Sequence, residues 1–340
     1  MKNRLIFIII PIILISILSC TLKNSPVKNK HSADVSGVYI VGYNGSNAGF
    51  WHNGKLSVLP KKGKYAEATA IAISSSNVYV AGIDTNKEVI DDAVYWRNGK
   101  RFVLPKSHRD ARASAIEING SDFYIVGNDG TWEDRDAIYW LNGKRFALPQ
   151  VNIYSVAYAI AISGYDIYIV GSDGFNAVYW LNSKRFELQS KPTYSFLIPF
   201  ATDIAISGSD VYIVGYYSYF GENYPVEQDS VYWRNGEYFV LPRLGIKTFV
   251  EGIAVSGFDV YIVGRDIYGD DKIDAVYWLN GERFVLPKTS ERAYAIDIAI
   301  SGNDVYIAGR DSDNTVLWLN GEFMTTVEGV AYPSAITVVP

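Results

Sequence analysis

The chain has 340 residues, 49% of them hydrophobic and 14% aromatic, which is enough to bury a large core within one domain. Its formal net charge is −5, and this acidic balance argues against nucleic acid or an acidic surface as a partner. One cysteine excludes an internal disulfide, and three dispersed histidines lack the parts of a histidine-based triad or a three-histidine zinc site.

The first 19 residues predict an export signal. Lys2 and Arg4 precede an apolar run at 5–18, which is too short for a comfortable membrane span. The sequence Ile-Leu-Ser-Cys at 17–20 resembles the lipobox of bacterial lipoproteins. The resemblance implies cleavage before Cys20, a diacylglycerol on its sulfur and an acylated amine, which together would hold the chain on a membrane. An ordinary signal peptide, or an uncleaved anchor with a chance cysteine, is the alternative.

Residues 20–33 are polar and predict a flexible tether. Thr21 follows the cysteine, whereas Asp at this position is associated with inner-membrane retention in the lipoprotein family. The resemblance therefore implies a lipid-anchored protein of the bacterial cell envelope, with the outer membrane favoured if the cell has two.

Two short motifs then recur along residues 34–340. Tryptophans of a Tyr-Trp-x-Asn-Gly motif fall 40 to 53 residues apart, at Trp51, Trp96, Trp140, Trp180, Trp233, Trp278 and Trp318. A Val-Tyr-Ile-Val-Gly motif precedes each of them, with its tyrosine at Tyr39, Tyr79, Tyr124, Tyr168, Tyr212, Tyr261 and Tyr306. A period of this length is typical of repeat folds.

Each repeat predicts a four-stranded antiparallel meander. In the copy at residues 157–188, an alternating segment and a Ser-Gly-x-Asp turn precede a β-branched and aromatic strand at 167–171. A third strand follows at 177–181 and a fourth at 185–188. Most copies join these last two by Asn-Gly, the strongest short-range hairpin signal, although this copy has Asn182-Ser183.

Strand count and repeat length predict an all-β, seven-bladed β-propeller over residues 34–340. A β-solenoid is the main alternative, but its coils are shorter and lack paired hairpin turns. The first copy lacks an inner strand, whereas surplus residues 333–338 match one. We therefore expect the C-terminal strand to pair into the first blade and close the ring, leaving no sheet edge exposed.

Length variation is confined to one face of the predicted propeller. The turns between first and second strands, and between third and fourth strands, are uniform, whereas the other connections vary; the longest are 216–229 and 189–200. Variable loops on a rigid scaffold commonly carry binding, and exposed aromatic rings suit sugars or protein partners. Some of these rings would instead plug the ends of the blades. The candidate binding residues are Trp132, Tyr154, Tyr194, Tyr216, Tyr217, Tyr219, Phe220, Tyr224 and Tyr268.

Two groups of carboxylates are candidates for chemistry. Glu117, Asp203 and Asp297 replace alanine in the predicted inner strands, where they would line the channel and supply the carboxylate pair of a glycosidase, unless they are simply solvated there. We predict no metal site, and Asp266, Asp270, Asp271 and Asp274 are only a weak candidate for calcium binding. No loop has the alternating-acid pattern of calcium ligands, so hydrogen bonding to turn amides is the favoured role for such residues. We predict no cofactor.

The repeated motifs over about residues 37–323 resemble those of bacterial lipoproteins built from Val-Tyr-Val-Ala-Gly and Tyr-Trp-x-Asn-Gly units. The resemblance implies an envelope propeller and no particular activity. The favoured function is a membrane-anchored, non-catalytic binding propeller whose partner is an envelope protein or a glycan. A glycan-cleaving enzyme and a scaffold for an envelope complex are the alternatives.

Overall fold

The computed structural model describes residues 37–53, 55–131, 134–189, 197–219, 228–269 and 271–339. These residues all belong to one compact unit, Val35–Pro340. Within these ranges the regular secondary structure is all β-strand. Among the residues that the structure describes, none forms a helix with the length and apolarity that crossing a membrane requires.

The strands form seven antiparallel sheets of four, which we call blades 1 to 7. In chain order the strands are β1 (Val38–Asn44), β2 (Asn47–His52), β3 (Lys55–Val58), β4 (Tyr65–Ser74), β5 (Asn77–Thr85), β6 (Asp91–Arg97), β7 (Lys100–Val103), β8 (Ala111–Asn119), β9 (Asp122–Gly130), β10 (Arg135–Leu141), β11 (Lys144–Ala147), β12 (Ser155–Ser163), β13 (Asp166–Asp173), β14 (Asn176–Leu181), β15 (Lys184–Glu187), β16 (Leu197–Ser207), β17 (Asp210–Tyr219), β18 (Ser230–Arg234), β19 (Glu237–Val240), β20 (Lys247–Ser256), β21 (Asp259–Ile267), β22 (Ile273–Leu279), β23 (Glu282–Val285), β24 (Ala293–Ser301), β25 (Asp304–Asp311), β26 (Asn314–Leu319), β27 (Glu322–Val327) and β28 (Tyr332–Val338). Blade 1 contains β28 and β1–β3, and blades 2 to 7 take the following strands four at a time.

Turn chemistry fixes the hairpin between the third and fourth strands. Asn142 and Gly143 both have positive φ, of 52° and 83°, as a two-residue hairpin turn requires. Asn182 and Ser183 adopt the same geometry, so the departure from Asn-Gly changes the cost of this turn and not its shape. The turn asparagine also accepts a hydrogen bond from the amide that starts the second strand, as Asn142 does from Phe123 at 3.1 Å.

The repeated tryptophans form the contacts between blades. All are buried, and the ring of Trp140 packs in a cluster that joins residues of blades 2 and 3. Its Nε1 donates a 2.7 Å hydrogen bond to the carbonyl of Pro105 in the preceding blade, and Trp180 repeats this bond with Pro149. The rings thus fill the space between two sheets, and an indole nitrogen is paired with a carbonyl at Trp96, Trp140, Trp180, Trp233, Trp278 and Trp318. The repeated tryptophans are therefore core residues.

The glycine of the Val-Tyr-Ile-Val-Gly motif is required by a β-bulge in the inner strand. In blade 4 the register shifts between Ala157 and Ala159, which pushes the carbonyl of Val156 toward the second strand. A Cβ on Gly171 would lie 1.9 Å from that carbonyl oxygen. The same close approach recurs at Gly215 and Phe200, at 1.8 Å, so the repeat admits only glycine here.

The C-terminal strand closes the ring as expected. β28 pairs antiparallel with β1, and the amide of Val339 donates a 2.8 Å hydrogen bond to the carbonyl of Gly37. β28 also contacts the inner strands of blades 7 and 2, β24 and β4. The protein is a seven-bladed β-propeller in which the inner strands surround a central channel.

Candidate functional site

The two ends of the propeller differ, as the sequence predicts. The face that carries the second-to-third loops and the blade-to-blade links is the loop face, and the other is the turn face. Each inner strand starts at the loop face, because the link from the preceding blade enters there. The first residues of the inner strands therefore surround the channel opening on the loop face.

Aromatic and charged side chains surround this opening. We call this set the mouth ring. Its members lie at or near the starts of inner strands, or face them from the second strands and loops: Tyr43, Tyr65, Glu67, Arg112, Arg135, Tyr154, Tyr158, Phe200, Tyr216, Phe249, Glu251, Arg265, Tyr294, Arg310 and Tyr332.

Blades 5 to 7 hold one part of the mouth ring together through Arg265. Its guanidinium lies 4.5 Å from the ring centre of Phe249 and 5.8 Å from that of Tyr294, and it forms an ion pair with Glu251. Tyr216 packs edge-on against Phe249 at 5.4 Å and contacts Phe200 at 5.3 Å. Burial raises the pKa of Glu251 despite the arginine, so this ion pair lies in a partly dry environment.

Blades 7, 1 and 2 continue the ring with stacked tyrosines. The guanidinium of Arg310 lies 4.1 Å above Tyr332, which stacks on Tyr43 at 4.8 Å. Tyr43 meets the edge of Tyr65 at 5.7 Å, and the Tyr65 hydroxyl donates a 3.1 Å hydrogen bond to Glu67. Burial raises the pKa of Tyr65, and the neighbouring Glu67 carboxylate raises it further, so the hydroxyl stays a donor.

Blades 2 to 4 complete the ring. Arg112 forms an ion pair with Asp91, and Arg135 donates a 3.0 Å hydrogen bond to the Tyr154 hydroxyl. Burial raises the pKa of Tyr158 to about 12, and the nearby Tyr154 and Tyr216 contribute to that shift across blades 4 and 5.

The candidate binding aromatics differ in position and in exposure. Tyr154 and Tyr216 belong to the mouth ring. Tyr268 lies under the Lys272 ammonium at 4.5 Å and accepts a 3.2 Å hydrogen bond from Arg283. Tyr217 is only 2% exposed and packs with Trp233, so the expectation that it offers its ring to a ligand is wrong. The side chains that fall outside the described residues are Trp132, Tyr194, Tyr219, Phe220 and Tyr224.

Tyr217 is buried because of strand alternation. It lies two residues after Gly215, on the side of β17 that faces the neighbouring sheet, whereas Tyr216 faces the mouth. The aromatic run at 216–220 conceals this alternation, since every residue there is apolar or small.

Asp203 and Asp297 occupy equivalent positions one residue beyond the inner-strand bulge, in blades 5 and 7. Asp203 accepts hydrogen bonds from the amides of Ile204 at 2.8 Å and Ile253 at 2.9 Å, the latter in blade 6. Asp297 repeats the arrangement with its own following amide and with Ile336 of blade 1, both at 2.8 Å. Between them, blade 6 has Gly252, and a Cβ there would lie 3.0 Å from Asp297.

Burial in the channel raises the pKa values of both carboxyls. The pKa of Asp203 rises to about 7 through desolvation and the nearby Asp297, and that of Asp297 rises to about 6 through desolvation. Backbone amides lower both values but do not offset the burial.

Glu117 does not join this pair. It lies opposite Tyr124, two residues nearer the turn face than Ala115, the position equivalent to Asp203. Burial raises the pKa of Glu117, and neither aspartate contributes to that shift. Of the three candidate channel carboxylates, only Asp203 and Asp297 interact.

The calcium hypothesis is not supported by the described carboxylates. Asp266 is fully buried and accepts a 2.7 Å hydrogen bond from Arg283, Asp274 pairs with Lys288 at 2.8 Å, and the exposed Asp271 faces Arg292 at 3.3 Å. Three carboxylates that face three different cations do not share a metal. Asp270 lies outside the described residues, and no cluster of three potential metal ligands occurs in the described part of the chain.

The arginines of the mouth ring lie outside the two longest loops, where the sequence predicts binding residues. A signal exists in the residue that follows the motif glycine. This position faces the start of the inner strand in every blade, yet it varies between Tyr43, Ile83, Asn128, Ser172, Tyr216, Arg265 and Arg310.

Comparisons with known proteins show similarity in fold. The chain matches no protein-family model and no curated protein sequence. Among solved structures, it is similar to apo AztD from Citrobacter koseri, with 10% identity, 89% of this chain and 97% of that chain covered, and a TM-score of 0.50. A puromycin-hydrolyzing peptidase from Mycobacterium tuberculosis gives 12% identity, 75% and 44% coverage, and a TM-score of 0.48.

Proposed function

We propose that this protein is a non-catalytic binding propeller that engages a glycan or a protein at the mouth ring. The observation that supports this function is the composition of the ring. Tyrosine, phenylalanine and arginine side chains are held by stacking and ion pairs around the loop-face end of the channel. Aromatic and arginine side chains dominate binding energies, and fixing them beforehand reduces the entropy that binding costs.

Binding is tested by a double variant of the ring and a matched control. Tyr216→Ala with Tyr294→Ala removes two mouth rings, whereas Tyr165→Ala with Phe258→Ala removes two rings that are 99% exposed on the turn face. Pull-down from envelope extracts and a glycan array measure capture. We expect the mouth variant to lose about tenfold or more in affinity and the control to retain it. Equal capture by both variants would contradict a binding role for the mouth.

Membrane attachment through Cys20 is part of the proposal, and this residue lies outside the described residues. Metabolic labelling with a clickable fatty acid tests it. We expect label on the wild type and none on Cys20→Ser. Label that survives the substitution, or a wild type without label, rejects the anchor.

A glycan-cleaving activity is the second candidate, favoured by the raised pKa values of Asp203 and Asp297, because a raised carboxyl pKa suits a general acid. Against it, all four of their oxygens already accept backbone hydrogen bonds, and one bond of each aspartate joins neighbouring blades. Product release from an array glycan that stops in Asp203→Asn and persists in Glu117→Gln would establish the enzyme.

A further inference from the structure

A cavity of ≈ 400 Å³ opens on the loop face between blades 2 and 3, beside the mouth ring. This volume lies within the range of small-molecule sites. Its lining consists of Val89, Asp91, Asp110, Arg112, Gly130, Thr131 and Arg135.

Arg135 brings a positive charge to the cavity that no described carboxylate neutralises. Its Nε donates to the Thr131 carbonyl at 3.3 Å, its Nη1 donates to the Tyr154 hydroxyl at 3.0 Å, and its guanidinium lies 5.0 Å from the Tyr154 ring centre. These contacts orient the half-buried guanidinium. Across residues 37–339 with their gaps, Nη2 has no hydrogen-bond acceptor. A fixed guanidinium with donors to spare suits a carboxylate ligand.

Arg112 and Asp110 place a donor and an acceptor in the same cavity. The charge of Arg112 is balanced by Asp91, and the side chain of Arg112 is 55% exposed. The Thr85 hydroxyl donates a 2.6 Å hydrogen bond to the Asp91 carboxylate. Oδ1 of Asp110 accepts the Asp91 amide at 2.9 Å. The second oxygen of Asp110 has no described partner and can accept a hydrogen bond from a hydroxyl group. Sugar hydroxyls, which both donate and accept, fit this pair.

Val89 forms an apolar wall beside these polar groups. It is 79% exposed and has a φ of 60°, in the left-handed region that a β-branched residue rarely adopts. Asn86 holds this loop, because its side-chain oxygen accepts the amides of Glu88 and Ile90. Backbone strain of this kind concentrates at ligand sites.

We propose that the cavity binds a carboxylate-bearing sugar residue, a uronate or a sialate. The carboxylate binds Arg135, the hydroxyls bind Arg112 and Asp110, and the apolar face of the ring packs on Val89. An acidic peptide side chain would satisfy Arg135 but leave Asp110 without a donor. This inference deepens the proposed function and rests on it.

The test uses the folded protein and pairs of probes that have the same shape and differ in charge. Saturation-transfer NMR and calorimetry measure binding of tetragalacturonate, a glucuronate oligosaccharide and a sialyl oligosaccharide. The methyl ester of each acid serves as an uncharged probe of the same shape. We expect one of the acids to bind about tenfold or more tightly than its ester, and Arg135→Gln to abolish that difference.

Arg234→Gln, on the turn face and paired with Asp210, is the matched control and should bind as the wild type does. If acid and ester bind equally, or if no acidic oligosaccharide binds, the inference is overturned. The proposed function is tested separately, because it depends on whether the Tyr216→Ala, Tyr294→Ala variant loses capture in the pull-down and on the glycan array. Preference for sialate over uronate, or the reverse, identifies the source of the carboxylate.

Discussion

Asp203 and Asp297 each form a hydrogen bond to a neighbouring blade, and the stability of this arrangement depends on the protonation of their carboxyl groups. Each places one oxygen on its own strand and the other on the amide of the next blade. Their carboxylate forms are disfavoured by desolvation, and that of Asp203 also by Asp297. Protonation weakens the amide hydrogen bonds, which favour the carboxylate, but it removes the larger cost of a desolvated charge.

Stability should therefore fall as the pH rises from 5 to 8. An aspartate in the unfolded chain has a pKa near 3.9, whereas Asp203 and Asp297 titrate at about 7 and about 6, so the folded state binds more protons across this range. The stabilisation is complete below pH ~4 and is lost as the pH passes the folded values. Melting temperatures between pH 5 and 8 measure this slope, which we expect to be shallower in Asp203→Asn.

Asp210→Asn is the control for this pH series. The Asp210 pKa is lowered by hydrogen bonds from Asn235 and Arg234, so it titrates below the range measured. The interpretation is wrong if Asp203→Asn and Asp210→Asn have the same slope as the wild type.

Within each blade, the inner strand and the second strand are matched by a bulge and a glycine. The bulge provides the local bend of the inner strand, and the glycine makes room for the carbonyl displaced by it. The glycine of the repeated motif is therefore required by a close backbone contact, whereas the other motif residues favour β-structure.

Gly171→Ala tests this pairing. The added Cβ would lie 1.9 Å from the Val156 carbonyl oxygen, so backbone must move, and we expect a loss of about 1–3 kcal/mol in urea unfolding. Gly269→Ala is the control, because no atom lies within 4 Å of its added Cβ and we expect a change within about 0.5 kcal/mol. Equal stabilities would show that the inner strand yields without cost.

At the scale of the molecule, the ring was predictable and its mouth was not. The Asn-Gly turns are short-range signals, whereas the period and the surplus strand become visible when copies of the same motif are compared along the chain. The mouth ring is assembled from residues such as Glu67, Phe249 and Arg310, which lie in different repeats and meet only when the ring closes. Their roles depend on register and on the bulge, and a motif search detects neither.

Removal of residues 330–340 should open the ring. Deletion takes away β28, which pairs with β1 and supplies the Ile336 amide to Asp297. We expect a loss of several kcal/mol in unfolding free energy, read as a lower melting temperature. A synthetic peptide of residues 330–340 added in excess should restore part of it. An unchanged melting temperature would show that the ring holds without this strand.

Closure within blade 1 also decides where the chain enters the propeller. Gly37 and Val339 are paired at the turn face, at the opposite end of the channel from Tyr43 and Tyr332. The described chain therefore enters and leaves the propeller at the turn face. A sensor surface that holds the propeller by its turn face would leave the arginines and tyrosines of the mouth accessible to an analyte.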